Sequence, residues 1–87
     1  MKIKEGFVLR EVAGSYIVVA IGAAAKTFNG IINLNPTSAL LWKELEKGAS
    51  EHELVERLLS EYEVSEQTAK EDVHKFVQKL TEAGLIQ

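Results

Sequence analysis

"GIINLNPTSALLW", residues 30–42, sets a short β-type run directly against a helix start. Ile31-Ile32-Asn33-Leu34 has strand character, and Asn35-Pro36-Thr37-Ser38 reads as a helix N-terminus. Asn35 suits the N-cap, where a side-chain oxygen accepts a free amide of the first turn. Pro36 suits the first helical position, because its missing N–H costs nothing there. A strand of four residues tied this closely to a helix raises the question of what pairs with it. Proteins usually blunt an unpaired edge with lysine, proline or a bulge. Here Asn33 is the only polar member of the run. The strand is either fully paired or covered by the last helix, or it accepts a strand from another chain. Composition does not separate the two.

N-terminal to this stretch the chain has β character. Phe7 to Val12 is rich in β-formers, Ala13-Gly14-Ser15 is a turn signal, and Tyr16 to Ile21 is apolar with four β-branched residues. A first hairpin around Ala13-Gly14 follows. Gly22 breaks the pattern, and Ala23-Ala24-Ala25 reads as loop or weak strand. Asn29-Gly30 is a two-residue hairpin signal, since both residues tolerate positive φ. It predicts pairing of Lys26-Thr27-Phe28 with Ile31–Leu34.

C-terminal to it the chain is helical. Ala39, Leu40, Leu41 or Trp42, and Leu45 form an apolar stripe that Gly48 ends. Ser50 with Glu53 fits a capping box. Leu54, Val55, Leu58, Leu59 and Tyr62 form the second stripe. Ser65 caps a third helix, with Val64 placed as a hydrophobic staple. Ala69, Val73, Phe76, Val77 and Leu80 share one face of that helix. Ala83-Gly84 ends it, leaving Leu85-Ile86 to fold back on the core. The order is β-β-β-α-α-α, an α+β fold of three N-terminal antiparallel strands followed by three helices.

The totals restrict function. Residues 1–87 read as a single domain with one modest core. The absence of cysteine removes disulfides, thiolate metal sites and cysteine nucleophiles. Met1 to Gly6 starts basic, but no 7–15-residue apolar segment follows, against a signal peptide. The apolar run from Ile17 to Ala25 is too short for a bilayer, which needs about 20 residues. A cytoplasmic protein without membrane attachment is expected. A net charge of −3, from 10 basic and 13 acidic residues, is opposite to the basic excess of nucleic-acid binders.

No constellation supports catalysis. His52 and His74 read as surface histidines without metal, since a zinc site needs three or four convergent ligands. Glu44, Glu46, Glu56, Glu61, Glu63 and Glu71 fall on helix exteriors. An acid/base pair needs a shielded cleft instead. Ser50 and Ser65 are explained as caps. Trp42 reads as core. The last helix offers Lys70, Lys75 and Lys79 to a DNA backbone, but also Glu66, Glu71, Asp72 and Glu82, which repel phosphate. No enzyme, cofactor, metal or nucleic-acid partner is expected.

The stretch "INLNPTSALLWKELEKGAS", continued in "HELVERLLSEYEVS" and "AKEDVHKFVQKLTEAGLI", resembles the PqqD family, small peptide-recognition proteins of pyrroloquinoline quinone biosynthesis. The likeness runs from about residue 7 to 86 and rests on the order and spacing of individually weak motifs. The resemblance implies a winged-helix-like fold. It implies a non-catalytic element that captures the leader of a ribosomally made, modified peptide and presents it to an enzyme of the radical S-adenosylmethionine type. In that family the leader adds as a strand beside the third β-strand, in a groove walled by the last helix. On this chain the strand is Ile31, Ile32, Asn33 and Leu34. The wall is the helix shoulder with Asp72, Phe76 and Lys79, and Lys75 farther round. It is chosen over the shoulder with Lys70, His74, Val77 and Thr81 because Phe76 offers an aromatic wall beside charges of both signs. The rival functions are a winged-helix DNA binder and a generic protein-interaction domain. A homodimer through the third strand is a competing use of the same edge.

Overall fold

Tyr16 to Ala20 is apolar on both faces of a strand, and this makes it the middle of the sheet. The computed structural model describes residues 1–28 and 30–87. The strands are β1 (Phe7–Val12), β2 (Ser15–Ala20) and β3 (Ile32–Leu34), in the antiparallel order β1-β2-β3. Three helices follow: α1 (Pro36–Lys47), α2 (Glu51–Glu61) and α3 (Glu66–Glu82). Ala13 and Gly14 join β1 to β2 with φ of 51° and 81°. Positive φ at both positions matches the strand twist of a tight hairpin. The register pairs Val12 with Ser15 and Phe7 with Ala20.

The strand expected over Lys26-Thr27-Phe28 is absent. Gly22 turns the chain at φ 60°, and Gly22–Lys26 forms a 3₁₀ helix. The Thr27 and Phe28 amides both donate back to the Ala24 carbonyl, at 3.3 and 3.0 Å. Local bonding thus replaces the ladder. Phe28 packs edge-on against Phe7, with ring centroids 5.3 Å apart. The expected Asn29-Gly30 turn lies partly outside the described residues. β3 pairs with β2 instead, as Tyr16↔Leu34, Ile17↔Asn33 and Val18↔Ile32. It starts one residue later than expected, because Ile31 lies outside the ladder.

Alternation along the strands divides their side chains between two faces. Phe7, Leu9, Tyr16 and Ile32 pack against the core, and Val18 and Leu34 are buried in it. The same cluster takes in Leu41, Trp42 and Leu45 of α1, and Leu54, Val55 and Leu58 of α2. From α3 it takes Ala69, Val73, Phe76, Val77 and Leu80. Leu40 and Leu59 are half-buried at its margin. Tyr62 and Val64 are each 39% exposed, so the second stripe ends before Tyr62 and Val64 staples nothing into the core. Trp42 is fully buried, and its Nε1–H has no hydrogen-bond partner among the described residues.

The helix ends follow the expected capping chemistry. The Asn35 side chain accepts the Ser38 amide at 2.7 Å, and Pro36 occupies the first turn. Ser50 Oγ accepts the Glu53 amide at 3.1 Å, and Glu53 Oε1 accepts the Ser50 amide at 3.0 Å. The Ser50 amide, then its hydroxyl, hold the Glu53 carboxyl below the usual carboxylate range. Ser65 Oγ accepts the Thr68 amide at 3.1 Å. After Gly84, at φ 77°, the Leu85 amide returns to the Leu80 carbonyl at 2.9 Å, and Leu85 is fully buried. Ile86 bridges Ile3, so both chain ends close over the same core. Arg57 ties α2 to α1, donating from Nε to Glu44 at 3.0 Å and from Nη1 to Glu61.

Candidate functional site

β3 is a terminal strand of the sheet, with β2 on one side only. A terminal strand keeps a row of unpaired N–H and C=O groups. Among the described residues, no backbone group of β3 bonds to anything beyond its ladder with β2. Asn33 is exposed and Leu34 is buried, as alternation requires.

The Asn35 cap sets the direction in which α1 leaves β3. Because α1 begins directly after Leu34, its first turns stand at the end of the open edge. α3 stands opposite, with Phe76 buried in the core. Helical spacing places Asp72, Lys75 and Lys79 along the shoulder beside Phe76. Between the two sides lies a cleft of about 360 Å³. Asn33, Leu34, Asn35, Thr37, Ser38 and Leu41 line it from the strand and α1. Asp72, Lys75, Phe76 and Lys79 line it from α3.

The structure therefore brings six of the eight residues singled out in the sequence to one cleft: Asn33, Leu34, Asp72, Lys75, Phe76 and Lys79. Ile31 is 56% exposed outside the ladder. Ile32 is half-buried against the core and does not line the cleft. Asn35, Thr37, Ser38 and Leu41 were missed. A signal was present for three of them: positions 37, 38 and 41 fall on one helical face, directly after a strand that ends without a loop.

The opposite shoulder of α3 faces α2. A second cleft of about 380 Å³ there is lined by Glu51, His52, Val55, Glu56, Glu66, Lys70 and His74. Each basic side chain there lies close to a carboxylate. Lys70 Nζ lies 3.2 Å from Glu66, His52 3.6 Å from Glu56, and His74 3.8 Å from Glu51. In the first cleft Asp72, Lys75 and Lys79 make no ion pair among the described residues. No group of three or more histidine and carboxylate side chains is placed to hold a metal ion among those residues. No helix among the described residues is long and apolar enough to cross a membrane.

The arrangement offers two recognition elements. An open strand edge is able to pair with an extended peptide through main-chain hydrogen bonds, and the neighbouring cleft has room for alternate side chains of such a peptide.

Comparison with known proteins gives a consistent picture. The sequence profile of the family described as coenzyme PQQ synthesis protein D (PqqD) matches residues 8–86. A solved structure of TbiB1 in complex with the TbiA(beta) leader peptide is 22% identical, with a TM-score of 0.79 over 100% of this chain and 95% of that one. A lasso peptide synthetase B1 complexed with the leader peptide is 24% identical, with a TM-score of 0.75 over 97% of this chain and 93% of that one. At this identity the likeness is one of fold. A search of curated proteins finds no match.

Proposed function

This chain belongs to the PqqD family, and from that premise we propose that it captures the leader of a ribosomally synthesised precursor peptide by strand addition. The leader pairs with the outer edge of β3, in the cleft walled by Asp72, Lys75, Phe76 and Lys79 of α3. The domain, residues 1–87, performs no chemistry and presents the bound precursor to a modifying enzyme of the radical S-adenosylmethionine type in the cytoplasm. One observation carries the reading: an edge strand without a second partner among the described residues adjoins a cleft of about 360 Å³. The two solved structures support it, since each is named as a complex with a leader peptide.

Magnitudes define the kind of binder. Two to four edge hydrogen bonds, at ~0.5–1.5 kcal/mol each, supply only a few kcal/mol. Ordering a flexible leader costs ~2–5 kcal/mol. Micromolar affinity requires about 8 kcal/mol net. The surplus must come from apolar leader side chains, at ~1.5–3 kcal/mol for each one buried. The protein is therefore a transient carrier, whose backbone edge gives general affinity and whose cleft gives preference.

The test modifies the peptide and leaves the protein intact. Where a neighbouring gene encodes a short precursor, its leader segment is synthesised with N-methyl groups on alternate residues, in both phases. In calorimetry, one phase should abolish binding and the other should leave it nearly unchanged. Equal tolerance of both phases would refute strand addition. Salt distinguishes the DNA-binding alternative, because phosphate contacts weaken steeply as salt rises. A second copy pairing through β3 would compete with the leader and would appear as leader-sensitive dimerisation.

A further inference from the structure

The two clefts flanking α3 differ in how their charges are satisfied. In the α2-facing cleft the Lys70 ammonium already sits 3.2 Å from a carboxylate. In the β3-facing cleft, Lys75 and Lys79 have no carboxylate partner among the described residues. Among the described residues Asp72 is the only carboxylate lining that cleft, so its balance is two positive charges against one negative. The chain as a whole carries −3. A locally positive cleft in an acidic protein focuses field on that site and favours an anionic ligand segment.

Spacing shows how a strand would use these charges. On α3, Lys75 and Lys79 are one turn apart, ~6 Å along the axis. Asp72 lies ~4.5 Å from Lys75 in the other direction. Side chains on one face of an extended peptide recur every ~6.6–6.8 Å. For a peptide running along the α3 axis, an inward residue level with Asp72 puts the next inward residue between Lys75 and Lys79. Phe76 and Leu41 add an apolar floor to the same cleft.

We propose that this cleft selects leaders with a carboxylate side chain at an inward-facing position, seated between Lys75 and Lys79, and an apolar side chain two residues away. The inference rests on the strand-addition reading and adds the chemical class of leader it takes. Lys75 and Lys79 set specificity, whereas the β3 edge supplies sequence-independent affinity. Asp72 disfavours a second carboxylate next to the first, so the preference is for one placed acidic residue, not for an acidic tract.

The experiment is selection from a display library of random nine-residue peptides, run in parallel on the wild-type chain and on the Lys75→Glu/Lys79→Glu variant. Circular dichroism checks that the variant is folded, and a Lys75→Gln/Lys79→Gln variant serves if it is not. The wild-type pool should enrich Asp or Glu at one position, with an apolar residue two away. Replacing that acid by its amide in a selected peptide should weaken binding about two- to thirtyfold, the range for two exposed ion pairs. The glutamate variant should select Lys or Arg at that position, and the glutamine variant neither sign. Enriched pools without an acidic preference, or with the same preference on wild type and variant, would overturn the charge inference and leave strand addition standing. Pools with no enriched peptide would overturn both.

Discussion

Among the described residues Ala13 is the one non-glycine at positive φ, at 51°, and its methyl group opposes the conformation that the β1–β2 turn requires. A left-handed conformation costs an L-residue roughly 1–2 kcal/mol. Glycine removes that cost but adds unfolded-state entropy worth about 0.4–1 kcal/mol. Ala13→Gly should therefore stabilise the chain by about 0.5–1 kcal/mol, seen as a rise of a few degrees in Tm. A fall in Tm would show that the methyl group makes contacts outweighing the backbone cost. Glu53 gives a second prediction at this scale. Its carboxyl is held below the usual value of 4.5, chiefly by the Ser50 amide and hydroxyl. A lowered carboxylate stabilises the fold above its unfolded pKa, and that contribution disappears as pH falls through the folded value. In Ser50→Ala, the Glu53 carboxyl carbon followed by NMR should titrate at higher pH than in wild type. An unchanged midpoint would place the cause elsewhere.

At the scale of elements, the helices were more legible in the sequence than the strands. Asn35-Pro36, Ser50 with Glu53, and Ser65 are local signals, and local hydrogen bonds satisfy them. Lys26–Phe28 was misread because Asn29-Gly30 suggested a hairpin, whereas the amides of Thr27 and Phe28 find a partner within their own turn. The choice of β2 as central strand is a long-range matter. Its doubly apolar character hinted at it, but no spacing in residues 22–31 revealed that β3 pairs across the first hairpin. The α3 wall was half legible: helical periodicity gave two shoulders, and only the packing of α2 decides which remains beside β3. The closing element is the tail. Leu85 is fully buried, and its carbonyl accepts the Lys4 amide at 2.9 Å. Leu85→Ala should cost about 2–5 kcal/mol, lowering the urea midpoint at unchanged slope. A loss below 1 kcal/mol would mean the tail is not part of the cooperative core. In β3, Ile32→Pro should abolish peptide binding. The N-methyl peptide series is the companion test, because proline here also threatens the Val18↔Ile32 pairing.

For the molecule as a whole, one small core holds two surfaces in fixed relation: an open backbone edge and a charged helix wall. The cleft between them is lined also by the first turns of α1, which follows β3 without a loop, so under the proposed function the stretch around Asn35 serves recognition as well as fold. The decisive measurement is titration of the isotope-labelled chain with a leader peptide, following backbone amides by NMR. Amide shifts and new protection from exchange should concentrate on Ile31 to Leu34, with side-chain shifts at Asp72, Lys75, Phe76 and Lys79. Saturable binding that perturbs β1 or the α2–α3 cleft, while leaving β3 amides unshifted and unprotected, would contradict the proposed role.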